Sequence, residues 1–355
     1  DRIVLVKTDG RTPPIQVAAT TLPQRPSAIM IAPVIASAGG DPTAVDWNAV
    51  MPMAAWGESF SGNAPKTPET EMRVAFDDEY LYLAYREQRA SGGESASFWN
   101  NTVDMFFAGN TLASVLQIAV APSGRIRCNL YTFTKTSDPN SNEDIRVSKA
   151  VPFEGKINNR SEAGAWQWQM ALPRRWLPQF TMALQANFFR NHGDARLSLS
   201  WNPIYTQGYL NGFHRLGRIY PGRLELSGRD VTSTRRDGSL PVMDGNHAWD
   251  IKASAPSGLD LRPAYRIGAR LRSNATLKDE KATSRIGVYD QATKKIIGNA
   301  VFPIKSIVGE DFKTVTISKG VTLTEASFLY VGGFLPEQQA QGDVFLEAFV
   351  LELVP

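Results

Sequence analysis

The sequence predicts an all-β protein, with two β-sandwich (jelly-roll-like) domains in tandem. Three observations predict it. Turn signals recur roughly every 8–16 residues, a spacing that suits sandwiches and leaves no room for crossover helices. Short segments alternate apolar and polar residues, most strictly from Ala165 to Leu172, as a half-buried strand requires. No segment of helical period exceeds about three turns. At 355 residues with 43% hydrophobic content, the chain can fill two cores.

Residues 1–30 read as an N-terminal arm or hairpin, with a strand from Arg2 to Lys7, an Asp9-Gly10 turn and then prolines. A first sandwich is expected over 31–228. A helical turn near Asp46 to Val50 is capped by Asp46, and Trp47 and Trp56 read as core or edge packing. Val74 and Phe76 alternate with polar neighbours, Asp77, Asp78 and Glu79 turn, and Tyr80 to Tyr85 is rich in strand formers. Strands follow at Thr102 to Phe107, Val115 to Ala121 and Ile126 to Phe133. The polar stretch from Ser137 to Asp144 reads as a loop. Ala165 to Leu172 places Trp166 and Trp168 on one face, which reads as core. Strands at Leu184 to Arg190, Leu197 to Trp201, His214 to Ile219 and Arg223 to Leu226 complete the unit. Residues 229–247, rich in Gly, Ser, Arg and Asp, read as a linker. A second sandwich over 248–355 takes strands near Tyr265 to Leu271, Ser284 to Tyr289, Ile296 to Phe302, Lys313 to Ile317, Ser327 to Gly332 and Val344 to Leu353.

Composition excludes several classes of function. With 38 basic and 35 acidic residues, the net charge of +3 is too small to argue for nucleic acid or an anionic membrane. No apolar run reaches ~18 residues, so no membrane span is expected. Cys128 is the one cysteine, which rules out an intramolecular disulfide and a zinc cluster. The chain begins at Asp1, so a processed product or a fragment is expected.

Catalytic patterns are missing as well. His192, His214 and His247 form no HxH or HxxxH pair, and there is no nucleophile elbow, P-loop or dinucleotide fingerprint. No pair of carboxylates stands out as a glycosidase pair. Asp77, Asp78 and Glu79 sit in an oxygen-rich turn of the kind that can hold structural calcium, as can the Ser137 to Asp144 loop; the plain reading is a hydrated turn.

Four pieces, in order from Pro33 to Leu226, carry a resemblance: Phe76 to Ala84; Trp99 with Val103-Asp104-Met-Phe-Phe107; Trp166 to Pro173; and Asn187 to Arg190 with Ser200-Trp-Asn-Pro203 and Leu216 to Ile219. Together they resemble a family 9 carbohydrate-binding module, a β-sandwich similar to the DOMON group that often carries calcium. The resemblance implies a sugar clamped between two tryptophans, here Trp99 and Trp201, with polar contacts near Asp104, Arg125 or Arg127, and Asn202. The chain departs from the family in reading Val-Asp-Met where Val-Glu and an aliphatic residue are usual. Packing is the competing reading of both indoles. The DOMON likeness also raises haem held by Met105 or Met170 with His192 or His214. The segments Tyr265 to Arg270 and Val344 to Leu353 resemble a jelly-roll sugar-binding module.

The expected function is therefore an extracellular or cell-surface carbohydrate-binding protein, or the non-catalytic part of a polysaccharide-degrading protein. Its partners would be a poly- or oligosaccharide and other domains of a larger protein. The alternative is a structural sandwich in an extracellular assembly, without a ligand. The two separate on whether Trp99 and Trp201 face each other across an open groove.

Overall fold

The computed structural model describes residues 26–354 except 55, 64–69, 89–97, 136–143, 163, 193–196, 206–214, 248 and 337–338. The fold is all-β: among the described residues the only helical pieces are single 3-10 turns. Of the arm expected over residues 1–30, residues 1–25 lie outside the described residues.

Strict alternation explains the first pair of sheets. In the strands Thr70–Phe76, Tyr80–Gln88 and Ala165–Pro173, the residues Met72, Val74, Phe76, Leu81, Leu83, Tyr85, Trp166, Trp168, Met170 and Leu172 all point inward. With Lys156–Glu162 these strands form a four-stranded antiparallel sheet. It packs on a nine-stranded sheet whose main path runs Ile29–Ala32, Gly217–Pro221, Leu184–His192, Thr102–Ala108, Ser114–Val120, Ile126–Lys135 and Asp144–Ala150. Val103, Met105, Phe107, Ile118 and Phe188 complete the core between the sheets. Trp166 and Trp168 are buried there, as their shared face predicts. The turn expected near Asp46 is present, and the Asp46 carboxylate accepts the Asn48 N–H at 3.1 Å.

A second pair of sheets encloses a second core. Arg235–Asp237, Leu240–Asp244, Asp343–Leu353, Ala264–Ser273 and Lys313–Thr316 run side by side, facing Lys252–Ser254, Ser327–Val331, Thr283–Asp290 and Lys295–Pro303. The expected linker is corrected here. Residues 229–247 carry two of these strands, and Val242 and Met243 are buried. Their apolar run is too short, and its flanks too charged, to announce a strand. Arg223–Leu226, read as the end of the first sandwich, pairs with Asp343–Leu353 and puts Leu224 and Leu226 into the second core.

The two cores meet on one strand. In Ile29–Ala32, Met30 and Ala32 face the first core, whereas Ile29 and Ile31 face the second. A strand covered on both faces reads as an unbroken apolar run, which is what Ile-Met-Ile-Ala is. It runs parallel to Gly217–Pro221, and the Ile29 N–H donates to the Gly258 carbonyl at 2.7 Å.

Each sheet pair holds a carboxylate whose protonation opposes folding. Burial would raise the Asp77 carboxyl, but hydrogen bonds from Tyr82, Glu79, Tyr80 and Ala38 outweigh it and hold the group below its ordinary value. Glu225 is lowered mainly by its hydrogen bonds from Arg270, at 2.7 and 2.8 Å. In both cases the unfolded chain takes up the proton first, so stability is present above the ordinary carboxylate pKa. It is expected to fall as pH drops below about 4. Thermal midpoints between pH 7 and pH 3 measure this, and Asp77→Asn should flatten the profile.

Candidate functional site

The structure brings three of the expected site residues together. Trp99 sits half-buried in the 3-10 turn Phe98–Asn100. Its ring meets Phe98 edge to face at 5.0 Å. The Arg127 guanidinium lies 4.6 Å from the Phe98 ring centre and 5.6 Å from that of Trp99, and Arg125 lies 5.5 Å from Phe98. Gly124, at φ +81°, closes the turn that starts the arginine-bearing strand.

The other expected clamp residues are in the interior. Trp201 is 5% exposed and packs on Phe188 at 5.9 Å. A Cβ at Gly217 would lie 2.4 Å from its ring, so the glycine makes the room that the indole fills. Asn202 is buried: its Oδ1 accepts the Ala28 N–H at 3.0 Å, its side-chain N–H donates to the Arg215 carbonyl, and its backbone N–H donates to Asn187 Oδ1 at 3.0 Å. Its amide staples chain segments together and is not presented to a ligand. Asp104 is buried too and accepts from Asn191 Nδ2 at 2.8 Å. Of the two expected clamp indoles, Trp99 is half-buried at the surface and Trp201 is packed in the interior, so they do not form an open pair.

The calcium expected at Asp77, Asp78 and Glu79 does not fit these residues. Asp77 Oδ1 accepts the N–H groups of Glu79 and Tyr80 at 2.9 and 2.7 Å, and Oδ2 accepts the Tyr82 hydroxyl at 2.7 Å. The Arg174 guanidinium already donates to the Asp77 and Asp78 carbonyls, at 3.3 and 3.4 Å, where a cation would need free oxygens. Among the described residues no three His, Cys, Asp or Glu side chains are grouped to hold a metal. The loop expected over Ser137 to Asp144 lies outside the described residues up to 143, as do His214 and the side chains of Asp144 and His192. Met105 and Met170, raised as haem ligands, are core side chains.

A site that the sequence reading missed lies on the outer face of the four-stranded sheet. The alternation that buries Met72, Tyr85 and Trp168 turns the intervening residues outward. Register then lines them up in two rows across the strands. One row is Glu71, Arg86, Gln167 and Arg160; the other is Arg73, Ala84, Gln169 and Asn158. These rows floor an open groove of about 350 Å³. The turn carrying Trp47 and Asn48 forms its wall. Trp47 Nε1 donates to the Pro42 carbonyl at 3.0 Å, and Arg73 pins the turn from below by donating to the carbonyls of Trp47 and Val50, the latter at 2.7 Å. Arg73 is also paired with Glu71 at 2.5 Å. Glu71 is the one carboxylate among the described residues lining this groove.

The lining combines a half-buried indole, four side-chain amides and two exposed guanidiniums, Arg86 and Arg160. Flat apolar surface beside paired donors and acceptors suits a ring that is apolar on its C–H faces and hydroxylated at its edge. A larger cleft of about 700 Å³ lies beside Trp201 and Asn202, between the two cores. Pro203, Pro256, Gly258 and Leu259 wall it, and it offers far fewer polar side chains. The signal for the groove was in the sequence. Outward positions of neighbouring strands carry long planar polar side chains in place of the Ser, Thr and Lys usual on a solvated face.

No family model and no curated protein matches the chain. Among solved structures, the chain is similar to a candidate carbohydrate-binding protein from Bacteroides uniformis, at 14% identity and a TM-score of 0.42, covering 54% of this chain and 98% of that one. It is also similar to a family 9 carbohydrate-binding module from Caldicellulosiruptor kristjanssonii solved with glucose, at 12% identity and a TM-score of 0.39, covering 54% of this chain and 95% of that one. The same module solved with cellotriose gives 12% identity and a TM-score of 0.39, with 54% and 93% covered. Likeness at this level assigns no site residue and no ligand to this chain.

Proposed function

We propose that this chain is a non-catalytic carbohydrate-binding protein that works outside the cell or at its surface. The observation that carries the reading is the groove over the four-stranded sheet, where Trp47 stands beside Asn48, Asn158, Gln167 and Gln169. An oligosaccharide lying along it would stack one ring on Trp47 and hydrogen-bond to the amides. Trp99, with Arg125 and Arg127, supplies a second exposed contact of the same chemistry. The single carboxylate in the groove is already paired with Arg73, whereas glycoside hydrolysis uses two acting in concert.

Affinity is expected to be modest, because a shallow groove buries little of a well-hydrated ligand. Trp47→Ala is expected to weaken binding of a neutral oligosaccharide such as cellotriose by about tenfold or more, the loss of one stacked ring. Stability should change by about 1 kcal/mol or less, since the indole is only half-buried. Calorimetric titration beside a thermal melt separates the two. Unchanged affinity for every sugar tested in Trp47→Ala would move the site away from this groove. A ligand-free packing role is the second reading, and the burial of Trp201 favours it.

A further inference from the structure

We propose that the groove selects acidic sugars, holding uronate carboxylates between Arg86 and Arg160; this inference rests on the carbohydrate-binding reading of the same groove. Arg86 and Arg160 stand on either side of Gln167, each directly paired with it in register on a neighbouring strand. With strands about 4.8 Å apart, their Cα atoms are roughly 10 Å from one another. Both side chains are exposed, and neither makes an ion pair among the described residues. Arg73, the third guanidinium in the groove, is spent on Glu71 and on the carbonyls of the Trp47 turn.

The charge balance follows. Glu71 and Arg73 cancel, which leaves Arg86 and Arg160 uncompensated in the groove. Strand alternation puts Lys156 on the same face as Asn158 and Arg160, but it lies beyond the groove lining and interacts with Asp41, so it adds nothing to this balance. Glu162 follows Arg160 on that face without an ion pair to it. A neutral glycan offers these guanidiniums only hydroxyl oxygens. A uronate offers a planar pair of oxygens that matches the guanidinium fork, in a charge-assisted contact of about twice the strength of a neutral one. The amides of Gln167, between the arginines, and of Gln169, in the neighbouring row, would serve the ring hydroxyls, which bare charge attraction does not require.

The test is titration of the full chain with trigalacturonate, cellotriose and a short polyglutamate, at low and high salt. The proteins are the wild type, Arg86→Gln and Arg160→Gln, each checked by thermal melting; both positions are exposed, so the variants should fold. Trigalacturonate is expected to bind about tenfold more tightly than cellotriose at low salt. That advantage should shrink at high salt, and in each variant trigalacturonate should lose severalfold more affinity than cellotriose does. Equal affinity for the two sugars, or variants that leave trigalacturonate binding intact, would overturn acidic selectivity while the carbohydrate-binding reading stands. Polyglutamate binding as tight as trigalacturonate would also overturn it, by showing attraction to charge alone. Binding of neither sugar would overturn both readings.

Discussion

Replacing Glu87 with alanine is expected to cost about 3–5 kcal/mol, the price of leaving a buried guanidinium without its partner. Glu87 and Arg190 are 1% and 3% exposed. Arg190 Nε lies 2.5 Å from one Glu87 oxygen and Nη2 lies 3.2 Å from the other, and the Tyr85 hydroxyl donates to the same carboxylate at 2.6 Å. The guanidinium also sits 5.1 Å from the ring centre of Trp166. Burial works against the Arg190 charge, but Tyr85 and Glu87 outweigh it and hold the guanidinium above its ordinary value. The guanidinium that remains in Glu87→Ala stays charged, because its ordinary pKa lies far above neutral, and it is left buried without its carboxylate. The pair also ties the two layers of the first sandwich, because Glu87 and Arg190 belong to opposite sheets. The thermal midpoint should fall by roughly 6–20 °C. A double variant, Glu87→Gln with Arg190→Met, removes both charges and should cost less than either single truncation. A loss of only about 1 kcal/mol in Glu87→Ala would mean that water reaches the pair.

Glu87 and Arg190 also show where sequence reading stops. Tyr80 to Tyr85 and Ala165 to Leu172 were legible because a period of two fixes which side chains share a face. The same rule placed Trp166 and Trp168 in the core. What alternation cannot supply is the neighbour across the strand or across the sandwich. Glu87 looks like one more polar residue at the end of a strand until Leu184–His192 brings Arg190 over it. The residue types of the groove are in the sequence, but their assembly is not: Gln167 lies between Arg86 and Arg160 only through the register of Tyr80–Gln88 with the distant pair Lys156–Glu162 and Ala165–Pro173. The strand Ile29–Ala32 straddles the expected boundary between arm and first sandwich, and its membership of two cores depends on Gly217–Pro221 on one side and residues near Leu259 on the other. The turn at Asp77 was legible as a turn. Its role was not, because Tyr82, Ala38 and Arg174 claim the oxygens that a calcium would use.

Trp201→Ala is expected to cost about 3–5 kcal/mol, the usual loss for a buried aromatic cut back to a methyl group. Groove binding, measured well below the variant's melting point, should be unaffected. Trp99→Ala should change stability by about 1 kcal/mol or less, because that ring is half-buried at the surface. An open clamp predicts the opposite: both variants lose sugar binding and both stay folded. Gly217 gives an independent check on the same contact. A methyl group there would lie 2.4 Å from the Trp201 ring and 2.9 Å from the Ala28 carbonyl oxygen, so Gly217→Ala should destabilise the wild type through overpacking, by about 1–3 kcal/mol. In a chain that already carries Trp201→Ala, the added methyl enters the vacated space, and its cost should shrink or reverse. Non-additivity between the two positions would establish that Trp201 is held by packing against Gly217. Additive losses would place the indole elsewhere and restore it as a platform for a sugar ring.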